Sequence, residues 1–178
     1  MDDADTSSSE PPSDEPDRAR PSGPASGGPV FDLVDPGSLL TEAQRRFVCR
    51  HAAEALGHLA SGGEVRARVV DDACMAEAHA RYAGVEGTTD VLTFDLSGGD
   101  GLDADLLICL DEARRQGERR GHAPEQELLL YIVHGVLHCL GHDDHTEPDA
   151  ARMHAEEDRV LSLIGVGATF ARGGEEPA

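Results

Sequence analysis

Two histidines lie four positions apart near the end of an apolar stretch, within HGVLHCLGHDDH at residues 134–145. Because positions i and i+4 share one face of a helix, with Cβ atoms about 5–6 Å apart, His134 and His138 can bind the same metal ion. A single histidine on an apolar helix face more often satisfies a hydrogen bond in the core. The pair, followed by Gly141 and a further cluster of histidine and aspartate, instead favours a metal site. Three protein ligands and one open position are typical of catalytic zinc.

The residue that follows the first histidine argues against an ordinary zinc protease. Such enzymes commonly contain HExxH, in which the glutamate is the general base, and Gly135 stands at that position here. A glycine inside a helix costs about 1 kcal/mol relative to alanine. Either a neighbouring element approaches the helix closely at Gly135, or the glycine is simply tolerated. A zinc peptidase with a different base is the least favoured of three functional hypotheses.

The sequence around this motif predicts the elements that position the histidines. Apolar residues recur every three to four positions in 38–60, whereas 64–72 alternates apolar and charged residues as in a half-buried strand. Two short apolar runs on either side of a glycine-rich turn predict a pair of strands and are compatible with a hairpin. The predicted helices cover 38–60, 71–84, 111–122, 123–141 and 147–165, and the predicted strands cover 64–72, 88–96 and 104–111.

This order of elements predicts an α+β fold, a single domain with one small mixed sheet packed with helices. The metal site is expected on the helix 123–141 and on the turn after it. Pro124 suits the first turn of that helix, and Gly141 is the expected stop signal at its end. Asp111 is the expected N-cap of the preceding helix.

The composition divides the 178 residues into one folded domain and two tails. Residues 1–30 are acidic and rich in Pro, Ser and Gly, and 169–178 are similar, so both are expected to be disordered. The domain is predicted at 31–168. With no apolar run of 18 residues and no apolar leader flanked by basic residues, neither a membrane span nor a secretory signal is expected. Four cysteines without a CxxC pair favour buried thiols in a reducing cytoplasm.

The charge limits the chemistry and the partners. The formal net charge is −20 at pH 7, which opposes non-specific binding to nucleic acid, and no DNA partner is expected. All 15 basic residues are arginines, so mechanisms that need a lysine nucleophile or a Schiff base are excluded. Any RNA contact must come from a few arginines near the metal and must be sensitive to salt.

Three segments of the chain resemble one known family. HGVLHCLGHDDH resembles the H-G-x-L-H-x-x-G-x-D-H signature of the YbeY family, bacterial endoribonucleases and ribosomal RNA maturation factors. RYAGVEGTTDVLTFDL is similar to that family's Y-R-G-x-x-x-P-T-D-V-L-S-F segment, and ADLLICLDEARRQ to its G-D-I-x-I-x-x-x-x-A-R segment. The likeness spans roughly residues 64–164. It implies an α+β fold, one Zn²⁺ held by three residues, and cleavage of single-stranded RNA in small-subunit (16S) rRNA maturation and ribosome quality control.

The chain departs from the family signature at the third metal ligand. The family has its third histidine three residues after the glycine, where this chain has Asp144, and His145 follows one position later. If the loop keeps its length, Asp144 is the ligand, which the spacing to Met153 favours. If the loop has gained a residue, His145 is the ligand, which the preference of zinc for imidazole favours. Asp143 is then available to orient a ligand, or to accept a proton as the catalytic base.

A second departure concerns RNA binding. The family's arginine after the tyrosine, which would engage phosphate, is Ala83 here, and Arg81 is expected to point elsewhere. Arg114 and Arg115 are the predicted RNA-binding residues, although a solvated helix face is the more ordinary role for them.

These features support two principal hypotheses. In the first, zinc lowers the pKa of a water toward ~7 and polarises a phosphodiester, so that the protein is a metal-dependent endoribonuclease acting on ribosomal RNA. In the second, zinc only stabilises the fold, and the protein is a non-catalytic ribosome-assembly factor whose acidic surface contacts ribosomal proteins or other assembly factors.

Overall fold

The computed structural model describes residues 28–98 and 101–170. Within them the strands are β1 (Val30–Val34), β2 (Gly63–Val70), β3 (Val91–Asp95) and β4 (Leu102–Cys109), and the helices are α1 (Glu42–Leu59), α2 (Asp72–Ala83), α3 (Leu110–Arg120), α4 (Pro124–Cys139) and α5 (Glu147–Leu163). The segments 1–27 and 171–178, predicted as tails, lie outside the described residues, so the domain limits 31–168 stay a prediction.

The four described strands form one mixed sheet in the order β1-β2-β4-β3. β1 pairs with β2 and β2 with β4 in parallel, whereas β3 runs antiparallel to β4, with Val91 opposite Ile108. The predicted α+β class with one small mixed sheet is therefore confirmed, and the two consecutive apolar runs do pair. The parallel β2–β4 pair lies at the centre, and β3 lies at an edge of the sheet.

β1 is a strand that the sequence pattern did not predict. It begins at Val30, a residue assigned to the N-terminal tail, and contains Asp32 at its centre. Among its five residues only Leu33 is buried. A short strand with one buried position has too little alternation to be distinguished from loop. Its place at the end of the sheet comes from pairing with β2, a contact between segments about 30 residues apart.

The helix termini follow local signals with one exception. Thr41 and Gln44 form a capping box at the start of α1, and Pro124 occupies the first turn of α4 as predicted. Asp111, however, is not the N-cap of α3. The helix begins at Leu110 directly after β4, and the Asp111 carboxylate accepts a hydrogen bond of 3.0 Å from the backbone N–H of Asp72. Asp111 therefore ties α3 to the first turn of α2.

α4 is the central element of the core. It packs against β3, β4, α1, α3 and α5, and its apolar residues from Leu128 to Leu137 are almost all buried. Gly135 explains how α4 lies so close to the sheet. A Cβ at this position would lie 2.8 Å from both Leu106 Cδ2 and Thr93 Oγ1. The glycine is thus required by close approach, the first of the two explanations open from the sequence.

The opposite face of the sheet carries α2. There Val70, Met75 and Cys109 form a second, smaller buried cluster. Within the described part of the chain, no helix combines the length and the apolar character that crossing a membrane demands.

Candidate metal centre and adjoining cleft

The last two turns of α4 bring the predicted histidine pair together. The Nε2 atoms of His134 and His138 lie 3.1 Å apart, and both side chains are half-buried. The Asp144 carboxylate faces the pair, with one oxygen 3.7 Å from Nε2 of His134 and the other 3.9 Å from Nε2 of His138. Three side chains from one helix and the turn after it therefore converge on one point, and all their ligand atoms lie within 4.8 Å of one another.

The opposite ring nitrogens of the two histidines have hydrogen-bond acceptors. Nδ1 of His134 lies 2.7 Å from Oε1 of Glu157, and Nδ1 of His138 lies 3.1 Å from the backbone carbonyl of His142. Since both partners accept, Nδ1 is the protonated nitrogen of each neutral ring, and each Nε2 directs a lone pair toward the other. Two lone pairs 3.1 Å apart repel each other unless a cation lies between them. The donor set therefore suits a metal ion.

Glu157 is the buried end of this arrangement. It lies on α5 with 1% of its surface exposed, on the helix face that also buries Met153, Val160 and Leu161. Burial alone would lower the pKa of His134, but the hydrogen bond and charge of Glu157, with the charges of Asp90 and Asp144, outweigh burial and raise it. A carboxylate behind a metal-binding histidine fixes the tautomer and strengthens the ligand.

The turn after α4 delivers Asp144 to the histidines. Gly141 has φ of +88°, and the backbone N–H of His142 donates to the carbonyl of Leu137, so the chain reverses immediately after the helix. The expected stop at Gly141 is thus present. His142 contributes its backbone carbonyl to His138.

The neighbouring loop residues are placed differently. The side chain of His145 is 81% exposed and pairs with Asp143, whose carboxylate also accepts from the backbone N–H groups of Asp144 and His145. The hydrogen bond with His145 lowers the pKa of Asp143, and the same contact raises the pKa of His145. Asp143, Asp144 and His145 form a second, exposed group of ligand atoms. The structure does not bring His145 into the group formed by His134, His138 and Asp144.

A cleft of about 560 Å³ opens beside His134 and Asp144. It lies between α3, α4, α5 and the segment that leads into β3. Polar side chains dominate its walls, among them Asp90, Glu112 and Tyr131. The hydroxyl of Tyr131 and Oε2 of Glu157 are buried without a hydrogen-bond partner among the described residues.

A shallower groove runs along the edge strand on the other side of the histidines. Asp90, Thr93, His138 and Cys139 line it. Burial raises the pKa of the Cys139 thiol to about 11, so this sulfur is protonated at neutral pH. Cys139 is not among the ligand atoms that converge with the two histidines. The expectation of four buried thiols is met only by Cys109, since Cys49 and Cys139 are half-buried and Cys74 is exposed.

The predicted RNA-binding arginines are engaged elsewhere. Arg114 pairs with Asp111 at 2.9 Å, and Arg115 pairs with Asp72 at 2.6 Å and with Glu112 at 2.7 Å. Neither lines the cleft. The arginine that does line it is Arg120, held by Glu127 at 3.0 Å. The cleft-facing residues of α3 are 112, 116 and 120, a four-residue spacing that places Arg114 and Arg115 off this face.

Two residues near the site were not singled out from the sequence. Glu157 carried a usable signal, because it lies at the spacing of a buried helix face, four residues after Met153 and three before Val160. An acid at such a position needs a partner. Asp90 lines both the cleft and the edge groove, yet it stands as one more acid before a strand in an acidic chain, and no local pattern distinguishes it.

Known proteins are similar to this chain over about two thirds of its length. The family model described as Endoribonuclease YbeY matches residues 39–165. The Endoribonuclease YbeY of Frankia alni is 40% identical over 129 residues, covering 65% of this chain and 70% of that protein. That of Moorella thermoacetica is 38% identical over 127 residues, covering 65% and 81%. The solution structure of TM1509 from Thermotoga maritima has a TM-score of 0.49 at 20% identity, over 75% of this chain and 91% of that one. The chain belongs to the YbeY endoribonuclease family.

Proposed function

We propose that the protein is a zinc-dependent endoribonuclease whose metal is held by His134, His138 and Asp144. The observation that carries the proposal is the convergence of two Nε2 lone pairs and one carboxylate at the mouth of a polar cleft. Zinc binds imidazole nitrogen at about 2.0–2.1 Å, which places two ligands of a tetrahedron roughly 3.3 Å apart. The 3.1 Å separation of the histidine nitrogens agrees with that value.

Bound zinc would supply Lewis-acid polarisation of a phosphodiester and acidification of water. The chain's own residues have the remaining tasks. Glu157 holds His134 in the correct tautomer, and Arg120 offers a cation within the cleft for a phosphate or for developing negative charge. Tyr131 forms part of the wall of the cleft.

Two carboxylates are candidates for the proton acceptor. Asp143, assigned this role from the sequence, lies next to Asp144 but is engaged with His145 and with two backbone N–H groups. Asp90 lines the cleft together with His134. Asp90→Asn and Asp143→Asn variants, compared for the pH dependence of cleavage, separate the two assignments. The correct one reduces the maximal rate and removes the acidic limb of the profile.

The substrate we propose is single-stranded ribosomal RNA, cleaved in the cytoplasm during 16S rRNA maturation and ribosome quality control. Support comes from the family's name as an endoribonuclease and from the resemblance of three segments to its motifs. Ribosomal proteins or assembly factors are the proposed protein partners, reached through an acidic surface. Arg114 and Arg115 contribute to RNA binding in this proposal only if RNA displaces their carboxylate partners.

The deciding experiment is cleavage of a labelled single-stranded RNA by zinc-loaded protein. A variant with both His134→Ala and His138→Ala should bind no zinc at this site and should not cleave, while circular dichroism verifies its fold. Chelation should abolish cleavage by the unaltered protein, and added Zn²⁺ should restore it. Equal cleavage by the double variant and the unaltered protein would refute the zinc mechanism.

A non-catalytic ribosome-assembly factor is the second candidate function. Two observations favour it: Ala83 stands in place of the family's arginine, and Arg114 and Arg115 of α3 are paired with acids. It predicts that chelation lowers the melting temperature and that purified protein has no ribonuclease activity. An Ala83→Arg variant discriminates between the two. A large gain in cleavage indicates a weakened enzyme, and no activity in either protein indicates a scaffold.

A further inference from the structure

The sheet face that points away from α1 and α4 carries an open groove of about 520 Å³ beside α2. Phe94 and Leu107 form its floor on β3 and β4, and Ala78 and Tyr82 of α2 line its wall. Tyr82 exposes 59% of its surface. The groove shares no residue with the cleft at the metal centre, so it is a separate surface.

An aromatic pair lies in this groove. The rings of Tyr82 and Phe94 meet edge to face, with centroids 5.2 Å apart and planes at 83°. The chain has only two tyrosines, four phenylalanines and no tryptophan, so this groove holds a third of its Phe and Tyr residues. Exposed aromatic rings are the surfaces on which unstacked nucleobases pack.

The groove also contains arginines that lack acidic partners. Among the described residues, Arg68 and Arg81 form no salt bridge, and the guanidinium of Arg81 lies 5.5 Å from the centroid of the Tyr82 ring. The other described arginines, apart from Arg119, each pair with a carboxylate. In a chain of net charge −20, two unpaired cations beside an exposed aromatic pair form a local site for a polyanion.

Two acids, Asp105 and Glu77, line the same groove. The carboxylate of Asp105 is bound by Arg66 at 2.5 Å, and Arg66 also binds Asp103 at 2.6 Å. Glu77 lies on the exposed side of α2. The cations facing the groove are therefore Arg68 and Arg81.

We propose that this groove binds single-stranded RNA, with bases stacked on Tyr82 and Phe94 and phosphates contacted by Arg68 and Arg81. The inference rests on the proposed function, since it states where an RNA substrate is held beyond the cleft. A duplex is excluded as the ligand because paired and stacked bases do not expose their faces to the rings.

The edge strand β3 joins the groove to the metal centre. Phe94 lines the groove, whereas Thr93 and Asp95 of the same strand line the side that faces His134 and His138. Because alternate residues of a strand point to opposite faces, one strand of RNA can pass around this edge and contact both surfaces.

The test is fluorescence anisotropy of a 5′-labelled 12-nucleotide oligouridylate with the full-length protein in EDTA, so that the proposed reaction cannot consume the probe. Two neutralised phosphates at a slope of about 0.7 each predict that Arg68→Gln with Arg81→Gln reduces the salt dependence of log Kobs by about 1.4. That slope corresponds to roughly 25-fold weaker binding at 0.1 M salt. Tyr82→Leu should weaken binding about tenfold and leave the salt slope unchanged.

Arg46→Gln with Arg50→Gln is the matched control, since both arginines lie on α1, pair with Glu42 and Glu54, and together lose two charges as the groove arginines do. Because Arg81 and Tyr82 are exposed, their substitution should preserve the fold, and melting temperatures check this. Equal affinities of the groove variants and the α1 control overturn the inference. The inference is also overturned if a duplex of the same length binds with the same affinity and is weakened equally by the groove substitutions. If sedimentation shows a dimer that Tyr82→Leu dissociates while RNA binding is unchanged, the groove is instead an interface with a second copy of the chain.

The two proposals fail in distinguishable ways. If RNA binding depends on the groove residues but the zinc-loaded protein cleaves no RNA, the groove proposal stands and the endoribonuclease proposal is rejected. If the zinc-loaded protein cleaves RNA and the groove variants bind and cleave like the unaltered chain, the endoribonuclease proposal stands and the groove proposal is rejected.

Discussion

Oε1 of Glu157 lies 2.7 Å from Nδ1 of His134, so a buried carboxylate on α5 orients a histidine on α4. The contact joins two helices across the core and directs Nε2 of His134 toward His138. The other carboxylate oxygen of Glu157, Oε2, has no hydrogen-bond partner within the described residues. The carboxylate thus serves the site while leaving an unsatisfied polar atom in the core.

Replacing Glu157 should weaken metal binding more than it unfolds the protein. Loss of a carboxylate behind a histidine ligand typically reduces metal affinity about 10–100-fold, so we expect a reduction in this range for Glu157→Ala. Glu157→Gln keeps an acceptor for Nδ1 and should lose less. Competition with a chromogenic chelator measures the zinc affinity. Glu156→Gln is the control, because Glu156 pairs with Arg159 instead. A loss in Glu156→Gln as large as in Glu157→Ala would contradict the assignment.

Asp144 should be the third ligand and His145 should not. Asp144→Ala is expected to reduce zinc affinity at least about tenfold, because it removes one of three protein ligands, whereas the exposed His145 should tolerate alanine. Isothermal titration with Zn²⁺ gives both stoichiometry and affinity. If His145→Ala loses zinc and Asp144→Ala keeps it, the loop rearranges when metal binds and the histidine is the ligand.

Gly135→Ala should destabilise the fold by about 1–2 kcal/mol. The added Cβ would lie 2.8 Å from Leu106 Cδ2 and from Thr93 Oγ1, and Leu106 is fully buried. Overpacking of this kind costs about 1–3 kcal/mol, from which up to about 1 kcal/mol of gained helix propensity is subtracted. Urea denaturation measures the change in the free energy of unfolding. Gly57→Ala is the control and should be stabilising, since Gly57 lies in α1 and a Cβ there would have no neighbouring atom within 4 Å.

Arg115→Gln should lower the stability of the fold rather than the rate of RNA cleavage. Its hydrogen bonds to Asp72 are the largest cause that lowers the pKa of that carboxyl to about 2, from an ordinary 3.8. Because the folded pKa is the lower one, this stabilisation is present above about pH 4 and is lost as the pH falls toward about 2. The pair is partly exposed, so we expect a loss of less than about 1 kcal/mol at about pH 7.

Thermal melts at about pH 7 and at about pH 2.5–3 measure this effect, and the difference between Arg115→Gln and the unaltered protein should narrow at the lower pH. Arg114→Gln is the control, since Arg114 pairs only within its own helix, with Asp111. Lost RNA cleavage with an unchanged melting temperature would instead support the RNA-binding role predicted from the sequence.

The sequence predicted the parts of the site that depend on helix periodicity. The pairing of His134 with His138 follows from i, i+4 spacing, and Gly141 marks the turn, so the convergence of the two histidines near the loop 143–145 was within reach. The choice between Asp144 and His145 was not, because it depends on how the chain turns after α4. The tie of Arg115 to Asp72 joins residues 43 positions apart, which no local pattern reports.

The fold shows the same division. Long helices and the central strands have enough buried positions to reveal their period, whereas β1 contains one buried residue and exists through its pairing with β2. Asp111 resembled an N-cap, yet β4 continues directly into α3, and the acid binds the backbone of α2. Both errors concern contacts between elements, for which residue type alone carries little information.

Two of the proposed metal ligands lie on a helix of the core, and the third lies on an exposed turn. His134 and His138 are fixed by a helix whose packing the whole domain depends on, while Asp144 projects from an exposed turn. Residue 144 can therefore change without disturbing the fold. A carboxylate there suits harder cations such as Mn²⁺ better than an imidazole does. Metal selectivity at the proposed site would thereby be separable from folding stability, and a change of one loop residue would be enough to alter it.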